Sequence, residues 1–191
     1  MPVPQYQQVL AKSNPTRSPE VKPEVNYCLQ FVSDRHGLAH ILEDAKLLGK
    51  LRLRTMHGDP KVNNILFDQQ TQLAVGVIDL DTVMSGYFIS DLGDMFRTYL
   101  SSATEEEQDF ERVVVRKDFY KAIVEGYLET MKDNMTSSEL HSLNFAGEFM
   151  IYMQALRFMT DYINDDVYYG TTYELNNYNR AINQLKLLHQ Y

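Results

Sequence analysis

The segment His57-Gly58-Asp59-Pro60-Lys61-Val62-Asn63-Asn64 sets a carboxylate five residues ahead of an amide and runs straight into the apolar Ile65-Leu66-Phe67. A second apolar run, Leu73 to Leu80, carries Asp79 near its end, with Asp81 just beyond. Ile65–Phe67 and Ala74–Ile78, separated by the turn-rich Asp68-Gln69-Gln70-Thr71-Gln72, read as a short antiparallel hairpin. A hairpin sets the start of one strand beside the end of its partner, so Asn64 falls near Asp79. An amide oxygen and a carboxylate then converge. Such a pair suits magnesium, which takes oxygen ligands and completes its shell with water and phosphate oxygens. Asp59, held by the turn before Asn64, stands close enough to accept a proton from a hydroxyl.

Taken singly, these residues have plainer uses. Asp59 before Pro60 suits a turn, and Asn63-Asn64 a turn or a cap. In this order, however, they match the phosphoryl-transfer pattern in which a loop Asp is the base, an Asn after four intervening residues meets the metal, and a later Asp meets it too. The compound carries more weight than any member because it includes the structural context that each motif requires.

The elements that must position this loop are mostly helical. Apolar residues recur at helical spacing as Val25, Cys28, Leu29 and Val32, and again as Leu38, Ile41, Leu42, Ala45 and Leu48, with Gly49 as a C-terminal cap. Leu51 to His57 alternates briefly. After Gly86 the spacing predicts helices over Asp91–Leu100, Lys117–Met131, Ser137–Asn164 and Glu174–His189, with Ser137 as an N-cap. Phe149, Met150, Met153, Leu156 and Met159 share one face of the third of these, a core stripe. The expected class is therefore α+β, mostly α, with a polar loop and a small hairpin lodged among helices.

Composition bounds the rest. At 191 residues the chain has room for one well-buried domain, and 44% hydrophobic content is that of a folded protein. A net charge of −8 argues against non-specific nucleic-acid binding, which needs a basic surface. Cys28 is the one cysteine, which rules out an internal disulfide or a cysteine metal cluster. The first 23 residues hold five of the six prolines and read as a loose lead-in without the features of a secretory signal. The most apolar stretch, Phe145 to Met159, is interrupted by Glu148 and Arg157, so no membrane partner is expected and a cytoplasmic location fits. His36, His40, His141 and His189 show no ligand spacing.

His57 to Asp68, followed by VIDLDTVMSG and SDLGDMFR, resembles the C-terminal lobe of the aminoglycoside phosphotransferase and choline kinase superfamily. IDLDTVM with the following Gly86, ALRFMTDYINDDVYY and the closing NRAINQLKLL are most similar to the branch that includes N-acetylhexosamine 1-kinase, over a span from about Glu24 to the end. The resemblance implies a kinase-like fold and ATP- and Mg2+-dependent phosphorylation of a hydroxyl on a sugar, amino sugar or related alcohol. It implies Asp59 as catalytic base, Asn64 and Asp79 on magnesium and the ATP phosphates, and His57 as a brace for the loop. Asp91 would fasten the loop backbone. Asp81 is a further metal or water ligand, a substrate contact, or a cap for the next turn. Lys61 stabilises transferring phosphate or is a solvated surface lysine. The branch commonly has Asn and Thr where this chain has Gly58 and Pro60, which alters hydrogen bonding around the base. The stretch Asp161 to Glu174, acidic and rich in Tyr, either lines an acceptor pocket or forms a capped loop.

In this superfamily a smaller N-terminal lobe supplies a loop over the phosphates and a strand lysine. No segment before Glu24 reads as either, so residues 24–191 are expected to be a catalytic lobe without its nucleotide clamp. Three readings follow: a kinase lobe whose other half comes from a separate N-terminal lobe or second chain, a non-catalytic sugar-binding module or remnant kinase lobe, and a helical interaction domain whose acidic residues serve structure.

Overall fold

The computed structural model describes residues 26, 30, 31, 33–35 and 37–191. The lead-in, His36 and the first apolar set of Val25, Cys28, Leu29 and Val32 lie outside the described residues. Helix α1 (Gly37–Leu47) ends as expected at Gly49, whose φ of +63° is costly for any residue with a Cβ. Its N–H donates to the Lys46 carbonyl, and that of Lys50 donates to Ala45, which satisfies the last carbonyls of the helix.

Four short strands follow, making two ribbons where one hairpin was expected. Strand β1 (Arg54–Met56) pairs antiparallel with β4 (Met84–Gly86), Thr55 opposite Ser85. Between them, β2 (Ile65–Phe67) pairs with β3 (Ala74–Val77), Ile65 opposite Val77, with a register shift after Leu66. The predicted second strand ran to Ile78. That residue lies just past β3, yet its N–H still donates to the Asn64 carbonyl. The partner of β1 is three residues long, too few to show a period in the sequence.

Helix α2 (Phe88–Tyr99) begins three residues before the predicted start. Phe88 and Ile89 are fully buried, and packing of that apolar face extends the helix upstream while Asp91 stays in its first turn, where a carboxylate complements the helix dipole. Helix α3 (Lys117–Met131) has the predicted bounds. The predicted Ser137–Asn164 helix is two helices, α4 (Ser137–His141) and α5 (Leu143–Ile163), broken at Ser142. The N-cap is Thr136 and not Ser137: its side chain accepts from the Glu139 N–H while the Glu139 carboxylate accepts from the Thr136 N–H. Helix α6 (Asn176–Gln190) closes the fold, starting two residues later than predicted.

Helix α5 lies along both α2 and α6. Phe88, Leu92 and Phe96 meet Ile151, Ala155, Leu156 and Met159 in the core, each large side chain contributing about 1.5–3 kcal/mol by leaving water. The α2–α5 crossing is close. A Cβ on Gly93 would stand 2.2 Å from the Ala146 carbonyl oxygen, so glycine fixes the spacing. Leu156 and Met159 of the predicted core stripe are buried, and Phe149 and Met153 pack at its edge. Met150 instead lines a cavity.

The ribbons differ from this core. Leu66, Phe67, Leu73, Val75, Val77 and Leu80 are exposed apolar side chains on and beside the second ribbon. Among the described residues no helix is long and apolar enough to cross a membrane.

Candidate active site

The loop between β1 and β2 is fastened at its start by α2. Asp91 accepts from the His57 N–H with one carboxylate oxygen (2.8 Å) and from the Gly58 N–H with the other (2.9 Å). The His57 ring turns back on the hairpin end. Its Nδ1 lies 3.3 Å from the Asp59 N–H and its Nε2 2.9 Å from the Ile78 carbonyl, a pair of contacts met by one tautomer, with the proton on Nε2. Thr82 donates its hydroxyl to the His57 carbonyl at 2.7 Å. Gly58 takes a φ of +87°, and a Cβ there would approach the Thr82 carbonyl oxygen to 2.7 Å. Only glycine fits.

Asp59, half-buried, stands at the head of this loop. Its Oδ2 accepts from Lys61 Nζ at 2.6 Å and from Asn64 Nδ2 at 3.2 Å. The hydrogen bond to Asp59 raises the Lys61 ammonium above its ordinary value, so Lys61 stays charged beside the carboxylate. Tyr99 donates its hydroxyl to the Pro60 carbonyl from the end of α2, and burial pushes its phenol up to about 12. Asn64, buried in a 3₁₀ turn (Val62–Asn64), also donates to the Asp59 carbonyl (2.8 Å) and to Asp79 Oδ2 (3.2 Å). With its amide nitrogen committed to three oxygens, Asn64 leaves Oδ1 as its remaining acceptor. Asp79 holds a left-handed conformation, φ +65°, just past β3. A non-glycine residue there costs of order 1–3 kcal/mol, the kind of strain that collects at working sites.

The structure thus brings His57, Asp59, Lys61, Asn64, Asp79 and Asp91 into one cluster of contacts. Asp81 stands apart. It is exposed in the following 3₁₀ turn (Leu80–Thr82), and no hydrogen bond joins it to the cluster among the described residues. Among those residues no three of His, Cys, Asp and Glu converge as a metal site, so any cation here would rest on Asn64 and Asp79 with other oxygens completing its shell.

A cavity of about 690 Å³ opens beside Asp59 and runs between α2, α5, α6 and the loop after α5. Tyr168 and Tyr169 line it, as the aromatic half of the Asp161–Glu174 stretch allows. The acidic half does the other job. Asp161 is buried and accepts from the Tyr168 N–H (2.8 Å), the Tyr169 N–H (2.7 Å) and Asn177 Nδ2 (3.0 Å), which fixes the loop and aims its aromatic pair.

Asp94 and Arg97, one and two turns beyond Asp91 on α2, also line the cavity. Arg97 Nε donates to Asp94 Oδ1 at 2.7 Å and its Nη1 to Glu105 at 2.8 Å. Burial pushes the Asp94 carboxyl up against the pull of Arg97, and nearby Asp59 pushes the same way. These two, with Thr82, Tyr99 and Gln184, are the site residues that sequence reasoning missed. For Asp94 a signal existed: it stands three residues after Asp91, on the same helix face.

Compared with known protein families, residues 4–131 match the model of the phosphotransferase enzyme family. The match starts inside the expected lead-in and covers the fastened loop, both ribbons, α2 and α3. It stops before α5 and α6, which supply the far wall of the cavity, whereas the resemblance ran to the end of the chain.

Proposed function

The chain belongs to the phosphotransferase enzyme family, and from that premise we propose that it transfers the γ-phosphate of ATP to a hydroxyl of a sugar or amino sugar. The observation that carries this reading is the meeting of the Asp59 and Asp79 carboxylates at the Asn64 side-chain amide, with Asp91 pinning the loop. Asp59 is the base. Its Oδ2 is held by Lys61 and Asn64, which leaves Oδ1 to accept the proton of the acceptor hydroxyl as its oxygen attacks phosphorus.

Asn64 Oδ1 and the Asp79 carboxylate are hard oxygen ligands, and a set of one or two protein ligands is what magnesium ordinarily takes beside triphosphate oxygens, so the residues fit this ion. When bound, magnesium neutralises charge on the transferring phosphates. Asp81, two residues further on and exposed, would reach a cation here only through one of its waters. Lys61, charged and 2.6 Å from the base, is placed to balance the phosphoryl group once the acceptor hydroxyl is bound. His57 holds no substrate in this scheme. It links the loop to the hairpin end.

The finer assignment, to a C-terminal lobe most similar to the N-acetylhexosamine 1-kinase branch, is part of the same proposal. Supporting it is the run of exposed apolar side chains from Leu66 to Leu80 on the ribbons beside Asp79, a surface suited to an adenine ring and to a covering lobe. That surface also favours a second reading, in which the lobe keeps its acceptor cavity but needs a partner lobe or chain for turnover.

The test is ADP release from Mg-ATP by the purified chain over hexoses, hexosamines, choline and aminoglycosides, beside Asp59→Ala. Acceptor-dependent release, weak in the chain alone and abolished by the substitution, is expected. Acceptor-dependent release that survives Asp59→Ala would remove Asp59 as the base, and release with no acceptor dependence would remove the acceptor from the scheme.

A further inference from the structure

Among the described residues, two buried side-chain polar atoms have no hydrogen-bond partner: Asp94 Oδ2 and Gln184 Oε1. The two residues are 5% and 2% exposed, and both line the cavity beside Asp59. Buried polar groups are nearly always satisfied, so two orphans in the wall of one cavity ask what donates to them.

Both are acceptors. The Gln184 amide is oriented by its neighbour: Asn183 Nδ2 donates to the Thr104 and Glu107 carbonyls, which leaves Asn183 Oδ1 to accept from Gln184 Nε2 at 3.2 Å. Gln184 therefore keeps its oxygen unpaired. Asp94 has Oδ1 on Arg97 and Oδ2 on nothing. A ligand that completes this wall must donate, through hydroxyl or ammonium groups.

Charge separates those two donors. Three cations pair with the four carboxylates of the wall: Asp59 has Lys61, Asp94 and Glu105 share Arg97, and Glu106 has Arg180. Arg157 adds a further positive charge, packed against Tyr168 and Tyr169 and hydrogen-bonded to Gln154. With Arg157 the four carboxylates stand against four cations, so an ammonium entering this cavity would leave water without meeting a net negative charge. A hydroxyl loses far less. Tyr168 and Tyr169, braced by buried Phe158, supply aromatic lining for the C–H side of a ring.

Building on the proposed phosphotransferase site, we propose that Asp94 and Gln184 form an acceptor subsite that binds two hydroxyls of a neutral, polyhydroxylated ring in preference to a cationic amine or choline. The matched wall selects against charge, and the two orphaned oxygens select for donors.

Binding is measured without nucleotide, by calorimetry or ligand-observed NMR on the full chain, with N-acetylglucosamine, glucose, glucosamine at a pH where its amine is charged, and choline. A neutral sugar is expected to bind at least about tenfold more tightly than glucosamine or choline. Gln184→Leu removes an unpaired buried acceptor. It should weaken sugar binding about tenfold or more, measured well below the melting transition; because it also removes the donor to Asn183 Oδ1, a modest fall in melting temperature accompanies it, and lost affinity in a variant that remains folded is what a merely structural role would not give. Asp94→Asn, which keeps an oxygen for Arg97 and presents a donor in place of the free oxygen, should weaken binding likewise. Preference for the amine or choline, unchanged affinity in both variants, or no sugar binding at all would overturn the subsite. The two levels stay distinguishable. ADP release with choline or an aminoglycoside alone would overturn the subsite and leave the phosphotransferase reading standing; sugar binding lost in both variants, without acceptor-dependent ADP release, would do the reverse.

Discussion

Asp91→Asn is the sharpest perturbation of the fastened loop, because it preserves shape and removes function from one carboxylate. Each oxygen of Asp91 now takes one amide, His57 N–H at 2.8 Å and Gly58 N–H at 2.9 Å. An asparagine accepts from one of them and turns its own N–H toward the other, so one charge-assisted bond is lost and a backbone donor faces a donor. Hydrogen bonds to charged groups contribute about 1.5–3 kcal/mol, which corresponds to a roughly ten- to hundredfold rise in local opening. The assay is amide hydrogen exchange by NMR at His57 and Gly58, which reads local opening without any need for turnover. Exchange at these two amides should accelerate by that factor while amides in the α5 core keep theirs. Thr82 and Ile78 still hold His57 from the other side, so the effect should stay local. Unchanged exchange at both positions would refute the idea that Asp91 pins the loop, and with it the reason Asp59 stands where it does.

Two further outcomes follow from the same geometry. Burial alone would raise the Glu139 carboxyl, but the Arg54 guanidinium and the amides of Arg52 and Thr136 hold it down to about 2, from an ordinary 4.5. A depressed carboxyl stabilises the fold in full above about pH 4.5 and loses that contribution as pH falls toward 2, on the order of 3 kcal/mol here, so urea unfolding of wild type should weaken over this window more steeply than that of Glu139→Gln. Parallel pH profiles would count against the pairing. Gly58→Ala forces a Cβ into a left-handed conformation 2.7 Å from the Thr82 carbonyl oxygen, and should cost at least about 2 kcal/mol, read as a fall of roughly 4–8 °C in Tm.

How far this could be seen in the sequence depended on whether a residue's job was local. The Gly49 cap and the bounds of α3 were legible because helix ends and helical periods are written in neighbouring residues. The meeting of Asn64 with Asp79 was legible because a hairpin ties two distant positions by one short turn. The break at Ser142 was not, since the apolar stripe runs across it without losing phase. Thr136 to Glu139 did spell a capping box, and the nearby Ser137 masked it. Strand β4 and Gln184 lay beyond reach. One is three residues long, and the other acquires its meaning from a cavity wall assembled by helices about ninety residues apart along the chain.

What the fold adds to a chain with many carboxylates is a division of labour among them. Asp91 spends both oxygens on backbone amides and so positions without reacting. Asp59, at the cavity wall, shares one oxygen between Lys61 and Asn64, which leaves the other as its free acceptor. Asp79 is held by a left-handed backbone against Asn64, where its charge is available to a cation. Asp94 is buried, with one oxygen on Arg97 and the other unpaired in the cavity wall. All four have the same side chain. The loop sets the partners of Asp59 and the hairpin end those of Asp79, while Asp91 and Asp94 differ because α2 presents one polar face to the loop and the cavity at once, so that residues three apart on the helix fall into different surroundings. A substitution that moves α2 relative to the loop should therefore disturb positioning and acceptor binding together, and Gly93, whose absent Cβ sets the approach of α2 to α5, is the residue through which the core controls both.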